Sequence, residues 1–300
     1  MNKNITVVGS SNTDMVVKTT RLPQPGETIL GGTFNQYQGG KGANQAVAAA
    51  KLNGNVTFIA KVGKDSLGAE AINSYKKVGI NTNQILREEN AATGVALITV
   101  DENAENSIVV SSGANALLSV EDISNQEKIF EASVITLVQL ETPISTVHKV
   151  VELAKSKQNT VVLNPAPAQE LSDAILKNTD IITPNETETQ LLTGVEINDI
   201  PSMEKASEIL HKKGINTVVI TLGKQGAYLS NSEYKEIIPA PIVKAVDTTA
   251  AGDVFNGALT VALVEGKNIK QAIQFASKAA SIAVTRDGAQ NSAPTIDELL

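Results

Sequence analysis

Short β-branched runs alternate with stretches of helical period along most of this chain, and that alternation constrains its fold more than any other feature. Residues 5–9, 56–61, 134–140, 160–163, 180–183 and 217–222 read as strands that are apolar almost throughout, rather than at every second position. Runs of that kind suit strands covered on both faces. Residues 42–52, 67–78, 144–157, 186–192, 203–213, 252–265 and 269–285 read as helices. Strand–helix alternation predicts an α/β fold, with a mostly parallel central sheet flanked by helices on both faces. With 300 residues and 42% hydrophobic content the chain can bury the core this needs, and 1–300 reads as one domain. Ligands of such sheets bind beyond the carboxyl ends of the strands. Gly9-Ser10-Ser11-Asn12, Asn164-Pro165 and Pro184-Asn185 all follow strands at that end.

Two segments break the alternation. Residues 14–20 with 28–34, and 94–100 with 107–111, read as strands with no crossover helix between them, which predicts an antiparallel patch over roughly 13–35 and 93–112. The acidic run Asp101 to Glu105 reads as a solvated hairpin loop.

Asp247-Thr248-Thr249-Ala250-Ala251-Gly252-Asp253 carries the clearest chemical signal. A run of small residues, Ala250, Ala251 and Gly252, leads to a carboxylate, Asp253, at the start of an apolar helix. Small residues let a backbone approach a ligand, and the free N–H groups of a helix start form an anion hole. An anion hole beside a general base is what phosphoryl transfer to an alcohol requires. Alone, the stretch reads more readily as an Asp capping an ordinary helix. A second segment, Gly39-Gly40-Lys41-Gly42-Ala43-Asn44-Gln45-Ala46, also runs into a helix, and Lys41 and Asn44 can bond hydroxyl groups. A tight turn before a closely packed helix explains the alanines there, but not a Lys and an Asn among three glycines.

Other chemistries are excluded by what is missing. No G-x-x-x-x-G-K-[ST] or G-x-G-x-x-G occurs, which disfavours a P-loop kinase and a dinucleotide-binding oxidoreductase. With no Cys and only His148 and His211, both expected to face solvent, thiolate chemistry, a His-rich metal site and a Ser-His-Asp triad lose support. A net charge of −7, 3% aromatic residues and no Trp argue against nucleic acid as a partner. No apolar run approaches a membrane span and the N-terminus lacks a signal-peptide layout, so no membrane association and a cytoplasmic location are expected.

Together the two segments resemble the paired signatures of the ribokinase family, also called the phosphofructokinase-B family of carbohydrate kinases. Asn12-Thr13-Asp14, Asn164-Pro165-Ala166-Pro167, Asn185-Glu186-Thr187-Glu188, Thr221 to Ala227 and Val284 to Gln290 match in the expected order, so the resemblance covers essentially the whole chain. It implies transfer of the ATP γ-phosphoryl group to the terminal hydroxyl of ribose; another pentose or a nucleoside as acceptor, or a non-catalytic sugar-binding regulator, are the alternatives. Asn12, Asp14, Gly39, Gly40, Lys41, Asn44 and Glu141 are the matching sugar positions, with Asp253 as base and the N–H groups of Ala250 to Asp253 as anion hole. Asn185, Thr221, Gly223, Gly226, Gly252 and Ser277 match the ATP positions. Ser277 replaces a larger polar residue that is common there, which weakens purine preference. Residues 185–188 read on their own as a capping box; the resemblance adds Asn185 near the phosphates and Glu188 organising magnesium through water. It also implies a monovalent cation, potassium, at Asp247, Thr249, Ala283, Arg286, Gly288 and Ser292. The antiparallel patch resembles the family's sugar-covering lid, which often pairs two subunits, and Val95, Leu97, Ile108 and Val110 make a homodimer through it an expectation.

Overall fold

The computed structural model describes residues 3–103 and 105–299. The two ends of the 1–300 span and Ala104 of the expected hairpin loop lie outside the described residues.

The chain opens with β1 (Asn4–Val8), then β2 (Asn12–Lys18), β3 (Thr33–Gly39) and α1 (Lys41–Lys51). Next come β4 (Asn55–Gly63), α2 (Ser66–Lys77), β5 (Ile85–Glu88), β6 (Gly94–Val100) and β7 (Asn106–Ser111). Short α3 (Val120–Ser124) and α4 (Glu127–Glu131) lead to β8 (Ile135–Val138), α5 (Ile144–Ser156), β9 (Thr160–Leu163), α6 (Asp173–Lys177) and β10 (Ile181–Ile182). Then follow α7 (Glu186–Thr193), α8 (Ile200–Lys212), β11 (Thr217–Thr221), β12 (Ala227–Ser230) and β13 (Lys235–Ile238). Helices α9 (Ala251–Val264) and α10 (Ile269–Ala283) close the fold.

The main sheet has the order β13-β12-β11-β10-β9-β8-β1-β4-β5. All its pairings are parallel except those of β12, which runs antiparallel to β11 on one side and to β13 on the other. Its strands feed two cores, because successive side chains point to opposite faces. Leu137, Val162 and Val219 join the core under α1, α2, α9 and α10. Val138, Leu163 and Ile220, one residue later, join the core under α5, α6 and α8. That division is why the strands read as unbroken apolar runs.

A separate four-stranded sheet has the order β3-β2-β6-β7. Its second strand differs from expectation, spanning Thr33–Gly39 instead of 28–34. Gly31 and Gly32 lie at φ 105 and 97, a backbone that ends any strand begun before them. The true strand is polar, Thr-Phe-Asn-Gln-Tyr-Gln-Gly, so apolar periodicity did not mark it. The apolar residues of β6 and β7 divide between the two faces. Val95 and Leu97 pair with Ser111 and Val109, whereas Ile108 and Val110 pair with Ile98 and Ala96. His211 also departs from expectation: half-buried, it is bonded to the Ile215 carbonyl (2.8 Å) and Ser230 Oγ (3.0 Å). Among the described residues no helix is long and apolar enough to cross a membrane.

Candidate active site

Progression along the main sheet reverses beside β1: β4 lies on one side of it, and β8, β9, β10 and β11 follow in order on the other. A crevice outside the carboxyl ends of strands forms at such a switch point. Residues Gly9 to Asn12, Gln139 to Glu141, Asn164 and Thr183 to Asn185 all emerge there, and two helices aim their N-termini at the same place.

The first of these helices is α1. Its N-cap, Gly40, has φ 89 and offers no side-chain cap. A Cβ on Gly40 would lie 2.8 Å from the Asn12 nitrogen, so only glycine admits this approach. The open helix end is closed from elsewhere. Glu141 Oε2 accepts from the Lys41 N–H (3.0 Å) and from Ser10 Oγ (2.5 Å). Ser10 in turn accepts the Gly42 N–H on Oγ (3.3 Å) and the Ala43 N–H on its carbonyl (2.9 Å). Glu141 is therefore no loose surface acid; a negative charge sits on the positive end of the helix dipole.

Two side chains of β2 occupy the space left by glycines on neighbouring strands. A Cβ on Gly39 of β3 would overlap the Asp14 carboxylate, and one on Gly94 of β6 would overlap Asn12 Oδ1. Asn12 is buried and held by Asn115 Nδ2 (2.7 Å). Asp14 is half-buried, and burial, with help from Glu141 and then Asp253, pushes its carboxyl up to about 6.

The second helix is α9. Its N-cap, Ala250, has φ 58, a left-handed conformation that costs an alanine about 1–2 kcal/mol. Left-handed followed by right-handed backbone turns successive N–H groups into one concavity, an anion-binding nest. Ala251 N–H makes a long bond to the Thr248 carbonyl (3.3 Å). The N–H groups of Ala250, Gly252 and Asp253 have no partner among the described residues. The expected donor set of residues 250–253 thus narrows to three. A Cβ on Gly252 would stand in open space.

Asp253 is buried, with Asn44 Nδ2 on Oδ2 (2.9 Å) and Gln45 Nε2 on Oδ1 (2.9 Å). Burial raises its pKa against the pull of Lys41 and the two amides, and Glu141 adds to the rise. Burial works in the opposite sense on Lys41, but the carboxylates of Asp253, Glu141 and Glu188 outweigh it and hold the ammonium charged above its usual range.

A cleft of about 940 Å³ opens beside Asp253. Asn185, Thr221, Gly223, Gly226, Gly252 and Ser277 all line it, as do Lys41, Glu188 and Asn164. The capping box at α7 is formed: Asn185 Oδ1 accepts the Glu188 N–H (2.8 Å), and the Glu188 carboxylate accepts from the Asn185 backbone (2.9 Å) and amide (3.0 Å). Glu188 is buried, and burial raises its pKa. Its carboxylate lines the cleft, and carboxylate oxygens suit a hard cation reached through water.

Behind α9, Asp247 joins two loops, accepting from Thr249 N–H (2.8 Å) and Gly288 N–H (2.9 Å). Burial would raise its pKa, but the bonds from Thr249 and Gly288 outweigh that and keep it low. Arg286 instead pairs with Glu298, and the Ser292 hydroxyl donates to the Ala289 carbonyl (2.8 Å). No cluster of three His, Cys, Asp or Glu suited to a metal occurs among the described residues.

Sequence reasoning gave no role to Ser10, Gln45, Asn115, Gln139 and Asn256. Asn256 donates to the Gly252 carbonyl (2.8 Å) and accepts from Thr183 Oγ1 (2.6 Å), steadying the first turn of α9. The available signal was position: Ser10 and Gln139 end strands at the crevice, and Gln45 lies inside the Gly-rich segment.

The chain matches the pfkB family of carbohydrate kinases over residues 2–296. It is 48% identical to a ribokinase of Haemophilus influenzae, across 100% of this chain and 98% of that protein. It is 37% identical to a deoxyribokinase of Salmonella typhi, across 98% and 96%. The structure of an Arabidopsis thaliana ribokinase, complexed with ribose and ATP, superposes with a TM-score of 0.93 at 33% identity, covering 100% of this chain and 98% of that one. With its two Gly-rich signatures brought to one crevice, this chain belongs to the pfkB family of carbohydrate kinases.

Proposed function

We propose that this protein transfers the γ-phosphoryl group of ATP to the 5-hydroxyl of D-ribose, giving ribose 5-phosphate and ADP. The observation that carries this reading is the start of α9, where a buried carboxylate and three unpaired N–H groups share one helical turn at the edge of a large cleft. Asn12, Asp14, Gly39, Gly40, Lys41, Asn44 and Glu141 position the sugar. Asn44 Oδ1, buried without a partner among the described residues, is one acceptor available to a hydroxyl. Asp253 accepts the proton as the sugar oxygen forms its bond to phosphorus and the bond to the β-phosphate oxygen breaks. The N–H groups of Ala250, Gly252 and Asp253 stabilise the charge on the transferring group. Asn185, Thr221, Gly223, Gly226 and Ser277 line the nucleotide side. Glu188 would help hold magnesium through water, and the ion would supply neutralisation of phosphate charge. A cytoplasmic location goes with this reading, because ATP is at hand there.

ADP release measured with ribose, with 2-deoxyribose and without sugar tests the reading. Ribose should give by far the largest kcat/KM. Preference for deoxyribose would favour the second reading, a kinase for another pentose, for which the 37% identity to a deoxyribokinase speaks. Ribose binding with no sugar-dependent ADP release would make the chain a regulator.

A potassium ion at the Asp247, Thr249, Ala283, Arg286, Gly288 and Ser292 loops would hold the anion hole in shape. Activity in potassium should then exceed that in lithium at equal ionic strength, and Asp247→Ala should remove the difference. A homodimer through the small sheet is supported by the exposure of Phe34, Leu97 and Val109 on one of its faces. Sedimentation should give a dimer at micromolar concentration, and Leu97→Lys should give a monomer.

A further inference from the structure

The Asp253 carboxylate is held by two neighbouring residues of α1 that differ in everything else they touch. Asn44 spends one donor on Oδ2 and keeps its own Oδ1 unpaired among the described residues. Gln45 is fully buried, does not line the cleft, and has its whole amide engaged. Its Nε2 donates to Asp253 Oδ1 (2.9 Å) and to Asn164 Oδ1 (3.0 Å). Its Oε1 accepts from Gln139 Nε2 (2.5 Å).

Chemistry alone fixes the direction of this chain of amides. An ionised carboxylate only accepts, so Gln45 must turn its NH₂ toward Asp253. Its oxygen then faces Gln139, which must supply the NH₂. Asn164 is set from its other end: its Nδ2 donates to the Thr183 carbonyl (3.2 Å), which also only accepts, so its oxygen faces Gln45. One orientation of the three amides fits all of these bonds, and it leaves Gln139 Oε1 unpaired among the described residues. Gly9 makes room for it, since a Cβ there would overlap Gln139 Oε1.

Packing brings the parts together. Gly257 lies one turn beyond Asp253 on α9, where a Cβ would be 2.6 Å from the Gln45 carbonyl and 2.8 Å from Ala48 Cβ. The close crossing of α1 and α9 at this glycine delivers the Gln45 side chain to Asp253.

Resting on the reading of Asp253 as base, we propose that Gln45 is a positioning residue, which anchors the carboxylate by Oδ1 through a one-way amide chain and leaves Oδ2 to take the proton. The charged groups that also face Asp253 are Lys41 on α1, Glu141 after β8, Glu188 on α7 and Asp14 on β2. All of them stay in place in the following test.

Gln45→Met keeps the volume and removes the amide. A hydrogen bond to a charged group is worth roughly tenfold to a hundredfold. Gln45→Met should lower kcat by that factor, keep the KM for ribose and for ATP within about threefold, and move the acid limb of the kcat–pH profile up by about one unit. Should that variant fail to fold, Gln139→Met leaves Gln45 in place but unanchored, and should show the same changes at smaller size. Unchanged kcat and acid limb in the folded variant, or a change confined to KM, overturns the proposal. Asp253→Asn separates the two levels. If it turns over normally, the base assignment falls and Gln45 with it. If it is inactive while Gln45→Met behaves as wild type, only the role of Gln45 falls.

Discussion

Helices α1 and α9 start at the same crevice, both without a side-chain cap, and meet opposite fates. The N-terminus of α1 is closed by the protein's own carboxylate, Glu141, and by Ser10. That of α9 is left open, with three N–H groups unpaired among the described residues and a left-handed alanine before them. A helix end already neutralised has no further pull on an anion, yet its fixed polar groups can grip a neutral polyol. An open helix end attracts phosphate. That difference supports the proposed reading, in which the sugar lies on the α1 side and the transferring phosphoryl group on the α9 side, with Asp253 between them.

The largest effect should come from breaking the α9 side at its carboxylate. Asp253→Asn should fold, bind both substrates and lose about 10²–10⁴ in kcat. Stopped-time assays beside calorimetry of ribose and ATP binding check this; near-normal turnover would remove Asp253 from the chemistry.

On the α1 side, Asp14→Ala should weaken ribose binding by roughly five- to 150-fold while ATP affinity stays, because buried partners left unpaired cost about 1–3 kcal/mol. The carboxyl also carries a stability signature. Its pKa rises from 3.8 to about 6 on folding, so the folded chain binds the proton more tightly. The folded state therefore loses stability as pH rises from about 4 through 6, roughly 3 kcal/mol in full. Asp14→Asn should accordingly raise the Tm of the sugar-free protein at pH 7.5, and the gain should vanish below about pH 4. A gain that is the same at both pH values would mean that the carboxyl is not strained by its surroundings.

The smallest effect belongs to the backbone. Ala250→Gly relieves the left-handed strain but gains freedom in the unfolded chain, so stability should change by less than about 1 kcal/mol. Ala250→Val should destabilise clearly, since a β-branched residue resists positive φ. Equal melting temperatures for all three proteins would mean that the left-handed turn does not persist in solution.

The sequence made the main sheet legible because its strands are buried on both faces and need apolar residues at nearly every position. It also exposed the first Gly-rich segment, whose glycines answer to backbone shape and close contacts: Gly40 at φ 89, Gly39 beneath Asp14, Gly42 against Gly9. Strand β3 stayed hidden because it is polar, and β5 and β13 because they are short edge strands with few apolar positions. Gln45, Gln139 and Asn164 escaped assignment for a different reason. An amide's role depends on which acceptors surround it, and those come from β8, β9 and α9, far away along the chain.

The switch point beside β1 has a consequence for biosynthesis, because the two sides of the crevice come from different stretches of the chain. Every residue assigned to gripping the sugar apart from Asp253 lies between 12 and 141, and every residue assigned to the nucleotide lies between 185 and 277. A chain leaving the ribosome thus carries its sugar-binding half long before it carries the base. Helices α9 and α10 share one face of the sheet with α1 and α2, so that face has no finished core until they are made. On the proposed reading, a chain still lacking α9 and α10 has neither a finished core on that face nor its base, and cannot spend a nucleotide.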